Sequence, residues 1–83
     1  MGESVLARVL RDSSDAGIRF DDLRVLLRRL GFAERIKGSH HIFTREGVDD
    51  ILNPQPRGSL AKPYQVKQVR RVLVQHKLVE EEQ

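Results

Sequence analysis

Apolar residues open the chain with a helical period. Val5, Leu6, Val9 and Leu10 fall on one stripe, which predicts a helix from Ser4 to about Ser14. Ser4 suits its cap. Ser13-Ser14-Asp15-Ala16-Gly17 reads as its stop, with Gly17 fitted to a left-handed position after the last turn. Ile18-Arg19-Phe20 reads as a short extended link. Leu23, Leu26, Leu27 and Leu30 then recur at the spacing of a core-facing helix, capped by Asp21 or Asp22 and stopped by Gly31. Acids at its start and Arg28-Arg29 at its end complement the helix dipole.

The period changes at Phe32. Phe32, Glu34 and Ile36 alternate with Ala33, Arg35 and Lys37, the pattern of a strand. Gly38-Ser39 is a connection with glycine first, as a type II′ hairpin demands, and His40 to Arg45 is the return strand. Arg45-Glu46-Gly47 turns again. Val48 to Asn53 reads as a third strand, ended by Pro54 and Pro56, and Gly58 to Lys62 as a loop. Pro63 fits the first turn of a last helix, with Val66, Val69, Val72 and Leu73 as its apolar stripe and an end near His76-Lys77. The order is α-α-β-β-β-α: an α+β fold with a three-stranded antiparallel sheet and helices on one face. It forms a single domain over 1–83, with an additional N-terminal helix in 1–17, a core at 18–78 and a frayed tail at 79–83. There are no internal repeats.

A two-residue hairpin loop sets a register. Lys37 pairs with His40, Ile36 with His41, Arg35 with Ile42 and Glu34 with Phe43, and paired residues share a face. Arg35, Lys37 and His40 therefore stand on the open face, with Ile42 beside them. Ile36, His41 and Phe43 point toward the helices. Asp49 and Asp50 stand near the histidines, but adjacent strand residues face opposite ways and do not converge on one metal ion. His76 reads as a partner of the last helix's dipole.

Composition narrows the chemistry. Eighty-three residues bury only ~60–65% of their unfolded surface, which leaves no room for a deep cleft. The chain has no cysteine, hence no disulfide, thiolate zinc site or thiol nucleophile. No signal-peptide pattern, acylation motif or membrane-length apolar run is present, so the expectation is a cytoplasmic protein with no membrane association. The formal net charge is +3, and from Arg57 to Lys77 six cations (Arg57, Lys62, Lys67, Arg70, Arg71, Lys77) occur without an acid. Such a stripe serves either a polyanion, nucleic acid first, or simply a solvated helix face.

An exposed histidine between cations suits RNA phosphodiester cleavage. Histidine is the side chain suited to proton transfer near neutrality. It draws the 2′-OH proton or protonates the leaving 5′ oxygen, while Lys37 or Arg35 holds the non-bridging oxygens. No metal or cofactor is required. An ordinary surface histidine in a common hairpin fits the same pattern.

At these residues the chain resembles the HicA toxin family, the mRNA interferases of bacterial HicAB toxin–antitoxin pairs. Leu26-Leu27-Arg28-Arg29-Leu30-Gly31-Phe32 is similar to the family's helix with a Leu-Gly-Phe end. Arg35-Ile36-Lys37-Gly38-Ser39-His40-His41-Ile42-Phe43 resembles its Gly-Ser-His-x-x-(Phe/Tyr) motif, and Val66 to Leu78 lies where the family has its closing helix. The resemblance covers about Phe20 to Leu78. It implies a double-stranded-RNA-binding-domain-like fold, an mRNA substrate, and a HicB-type antitoxin that covers the active face. It implies that His40 is catalytic and that His41 is not. Arg57-Gly58-Ser59-Leu60-Ala61-Lys62-Pro63-Tyr64 replaces the family's Lys-Gly-Thr-Leu step, so contacts there do not carry over. The candidate RNA-binding residues are Arg35, Lys37, Gly38, Ser39, Lys62, Lys67, Arg70 and Arg71, with Tyr64 beside them. Two alternatives stay open: a non-catalytic RNA-binding module on the same fold, and an adaptor whose basic helix docks an acidic protein.

Overall fold

The computed structural model describes residues 4–11 and 15–78. Helix α1 spans Val5–Leu10, α2 Phe20–Arg29 and α3 Pro63–Gln75; strands β1 (Ala33–Lys37), β2 (His40–Arg45) and β3 (Val48–Leu52) lie between α2 and α3. They form one antiparallel sheet in the order β1-β2-β3. The architecture is the expected α+β one, with the helices on one face. The readings of Ser13-Ser14 as a stop and of 79–83 as a frayed tail lie outside the described residues.

The core follows from the two periods. Leu23, Leu26 and Leu27 of α2 are buried together with Val66, Val69, Val72 and Leu73 of α3, and with Phe43, Val48 and Leu52 from the sheet. From α1, Val9 is fully buried, and Val5 and Leu6 pack at the margin, so the first helix is seated on the core. Ser4 caps α1 by accepting from the Ala7 N–H.

Several local expectations give way to tertiary contacts. Neither Asp21 nor Asp22 caps α2. The helix starts two residues earlier than an Asp21 cap would set it, at Phe20, with Arg19 at its cap and no capping side chain. Its first N–H, on Phe20, donates instead to the Ser59 carbonyl at 3.0 Å. Gly17 does not take up a left-handed conformation. It ends a short 3₁₀ turn, Asp15–Gly17, whose Gly17 carbonyl accepts from the Arg8 guanidinium at 2.7 Å. Gly31 does stop α2, at φ +95°.

The segment read as a loop is a small ribbon. Strands β4 (Pro56–Arg57) and β5 (Leu60–Ala61) pair antiparallel around Gly58-Ser59. Arg19 adds an isolated bridge to Leu60 on the other side. Pro56 sits on the ribbon's outer strand, where a missing donor is tolerated. Gln65, outside the apolar stripe of α3, is buried: its amide donates to the Asn53 carbonyl at 2.8 Å and its side-chain oxygen accepts from the Gln55 N–H. One side chain thus ties the β3–β4 connection to the first turn of α3.

Candidate functional site

The hairpin has the register read from the sequence: Lys37 opposite His40, Ile36 opposite His41, Arg35 opposite Ile42 and Glu34 opposite Phe43. Gly38 has φ +63° and Ser39 stays at negative φ, as a glycine-first turn requires. Lys37 and His40 close the hairpin, so their Cβ atoms stand ~4.5–5.5 Å apart, and Arg35 lies on the diagonal ~7–8 Å away. All three are exposed, as are Gly38 and Ser39. Among the described residues none of Arg35, Lys37 and His40 makes an ion pair or side-chain hydrogen bond. The open face therefore presents an imidazole and two cations that can meet a ligand without breaking an existing bond.

The other face of the hairpin is closed by charge. Glu34, whose side chain is only 7% exposed, accepts from Arg24 Nε at 2.7 Å and lies 2.9 Å from His41 Nδ1. Arg28 approaches its other oxygen at 3.7 Å. The His41 ring also meets Phe20 edge-on, with centroids 5.1 Å apart. His41 thus points toward the helices and is held on two sides. Ile36, expected in the core beside it, is instead 58% exposed. It has the right face but lies on the edge strand β1, beyond the cover that Phe20 gives to His41 on the central strand.

The Arg24 hydrogen bond, more than the contacts with His41 and Arg28, holds the Glu34 carboxyl below its ordinary value despite burial, and Glu34 in turn raises Arg24. A lowered carboxylate stabilises the fold fully above its unfolded value of 4.5, and this is lost as pH falls through the lower folded value. Glu34→Gln is therefore expected to cost about 1–3 kcal/mol at neutral pH, with a shrinking gap from wild type in acid. Urea melts at the two pH values read this directly; an equal gap at both would dismiss the charge as the cause.

The remaining candidates do not converge on His40. Lys67 and Arg71 lie with Tyr64, 62% exposed, on the α3 stripe that turns away from the core and so away from the open sheet face. Lys62 caps α3 and donates to Gln55 Oε1 at 3.2 Å. Arg70 is occupied: it bonds the buried Asp15 at 2.7 Å and the Val9 carbonyl at 3.2 Å, fastening α3 to the chain before α2. His76 Nε2 lies 3.1 Å from Asp50 Oδ2, which docks the end of α3 on β3. Asp50 is half-buried on that side and Asp49 is exposed. Among the described residues no group of three or more His, Asp or Glu side chains is placed to hold a metal ion. No described helix is long and apolar enough to cross a membrane.

Sequence reading missed the Arg24–Glu34–His41 cluster. Its signal was present: a glutamate at a core-facing strand position needs a partner.

A three-stranded antiparallel sheet covered on one face by helices, with Arg35, Lys37 and His40 on its open face, makes a small α+β domain compatible with the double-stranded-RNA-binding-domain-like fold. The family model for the HicA toxin of bacterial toxin–antitoxin systems matches residues 20–77, and the chain belongs to this family. Membership makes it a toxin component with a cognate antitoxin. Helix α1 precedes the matched residues. Comparison with curated proteins and with solved structures finds no match.

Proposed function

We propose that the chain is an endoribonuclease toxin that cleaves mRNA by metal-independent acid–base catalysis at His40. The observation that carries this reading is the placement of His40: exposed, unbonded, and directly opposite Lys37 on the sheet's open face. In the reaction the 2′-oxygen attacks the adjacent phosphorus, the P–O2′ bond forms and the P–O5′ bond breaks. His40 takes the 2′-OH proton, and the departing 5′ oxygen is protonated by solvent or by the imidazolium in a later step. Lys37, with Arg35 on the diagonal, holds the non-bridging oxygens where negative charge grows. Gly38 faces open space, with no neighbour within 4 Å of a Cβ built there, so the Gly38-Ser39 turn is accessible to an RNA backbone. A HicB-type antitoxin covering this face blocks access. Cytoplasmic mRNA is the substrate.

The test is cleavage of an mRNA in excess EDTA, followed by analysis of the new ends. The expected products carry a 2′,3′-cyclic phosphate and a 5′-hydroxyl, and adding the antitoxin suppresses them. A strict requirement for a divalent cation, or 5′-phosphate ends, rejects the mechanism. RNA binding without any cleavage favours a non-catalytic binding module on the same fold.

A further inference from the structure

The chain contains a second turn built like the one at His40. Lys37-Gly38-Ser39-His40 closes the first hairpin and Arg57-Gly58-Ser59-Leu60 closes the β4–β5 ribbon. The two glycines have φ +63° and +62°, and neither would have a neighbour within 4 Å of an added Cβ. In each, a cation precedes the glycine and the turn is exposed.

The ribbon has a third member. Arg19 bridges Leu60 from the side opposite Arg57. The flanking bonds, Phe20 N–H to the Ser59 carbonyl at 3.0 Å and Ala61 N–H to the Ile18 carbonyl at 2.8 Å, make Arg19 and Leu60 a non-hydrogen-bonded pair, the closer kind. Cross-strand partners share a face, so Arg19, Leu60 and Arg57 form one row. Ala61, next along β5, is buried on the reverse side. The row therefore faces outward, with two arginines ~10 Å apart across the ribbon and a partly exposed leucine between them. Among the described residues neither arginine makes an ion pair or side-chain hydrogen bond.

Phe20 places this row near the hairpin. Its N–H holds Ser59 and its ring meets His41, the residue after His40. Phe20 thus touches both the turn of the ribbon and the strand that begins at His40. Among the described residues the acids held in ion pairs, Asp15, Asp21, Glu34 and Asp50, are bound by Arg70, by Arg24, by Arg24 with Arg28 and His41, and by His76, and none of them pairs with Arg19 or Arg57.

We infer that the Arg19–Leu60–Arg57 row is a second nucleic-acid contact, which grips the sugar–phosphate backbone of the substrate RNA away from the bond cleaved at His40. The inference rests on the endoribonuclease reading above and extends it. Arginine's planar fork matches phosphate oxygens in pairs, and Leu60 offers apolar surface to the sugar between them. This gives the small domain a hold on the strand independent of the residues that do chemistry.

The test uses the full chain carrying His40→Ala, so that RNA is bound and not cut. Binding of a fluorescent single-stranded RNA is measured by anisotropy across a salt series for this protein and for versions that add Arg19→Ala, Arg57→Ala or both. Each contact to a single strand contributes about 0.7 to the slope of log affinity against log salt. The slope is expected to fall by about 0.7 for each arginine removed and about 1.4 for the pair, and to recover with lysine at both sites. Matching thermal melts exclude unfolding as the cause. An unchanged slope and affinity overturn the inference even if the wild type cleaves RNA. A reduced slope with no cleavage by the wild type keeps this contact and rejects the nuclease reading. No RNA binding at the lowest salt rejects both, and leaves the row to an acidic protein surface.

Discussion

His40→Ala is expected to abolish growth arrest on expression and to slow RNA cleavage by about 10²–10⁴-fold, the contribution of a positioned proton-transfer group. Nothing else in the protein should change. His40 is exposed and bonds to no described side chain, so its removal leaves the core, the Glu34 cluster and the hairpin register intact. An exposed substitution of this kind shifts stability by only about 0.5 kcal/mol. Arg35 and Lys37 remain, so RNA affinity persists. A protein that melts normally, binds RNA and neither cuts it nor poisons the cell is the expected phenotype. Equal toxicity of the two proteins would remove His40 from the mechanism.

Phe43→Ala is expected to fail for the opposite reason. Phe43 lies three positions along the same strand, fully buried, paired with Glu34 on one side and Leu52 on the other. Truncating a buried phenylalanine costs about 3–5 kcal/mol. A domain of 83 residues has roughly 4–12 kcal/mol in all, at 0.05–0.15 kcal/mol per residue, so the loss takes a large share of it. Thermal denaturation should show a melting point lower by at least ten degrees or no cooperative transition. Activity is lost with the fold rather than with the chemistry, and the two variants separate on a melt although both silence the toxin. A near-normal melt for Phe43→Ala would mean that this strand is not seated on the core as described.

The two-residue Gly38-Ser39 loop carried the hairpin register, alternation along 32–37 chose the faces, and together they separated His40 from His41. The leucine spacing carried α2. These patterns are legible because many residues repeat the same choice. The ribbon was not, since two residues per strand are too few for any period to register. Ile36 marks another limit: alternation tells which face a residue takes, not how far the covering layer reaches. Arg70 looked like its neighbours Lys67 and Arg71 because a charge run does not reveal partners. Its acid, Asp15, lies 55 residues away in the chain. Gln65 was missed for the same reason, since its partners are backbone groups of a turn.

The sheet order β1-β2-β3 leaves β1 and β3 unpaired along their outer sides among the described residues. Such edges invite a strand from another molecule, and proteins discourage this with charge. On β1 that charge is Glu34, Arg35 and Lys37; on β3 it is Asp49 and Asp50. The cations proposed to hold RNA would thus also discourage self-association. Exchanging Arg35 and Lys37 for apolar residues would leave Ile36 in an uncharged run on an open edge, and turn a disabled toxin into an aggregating one.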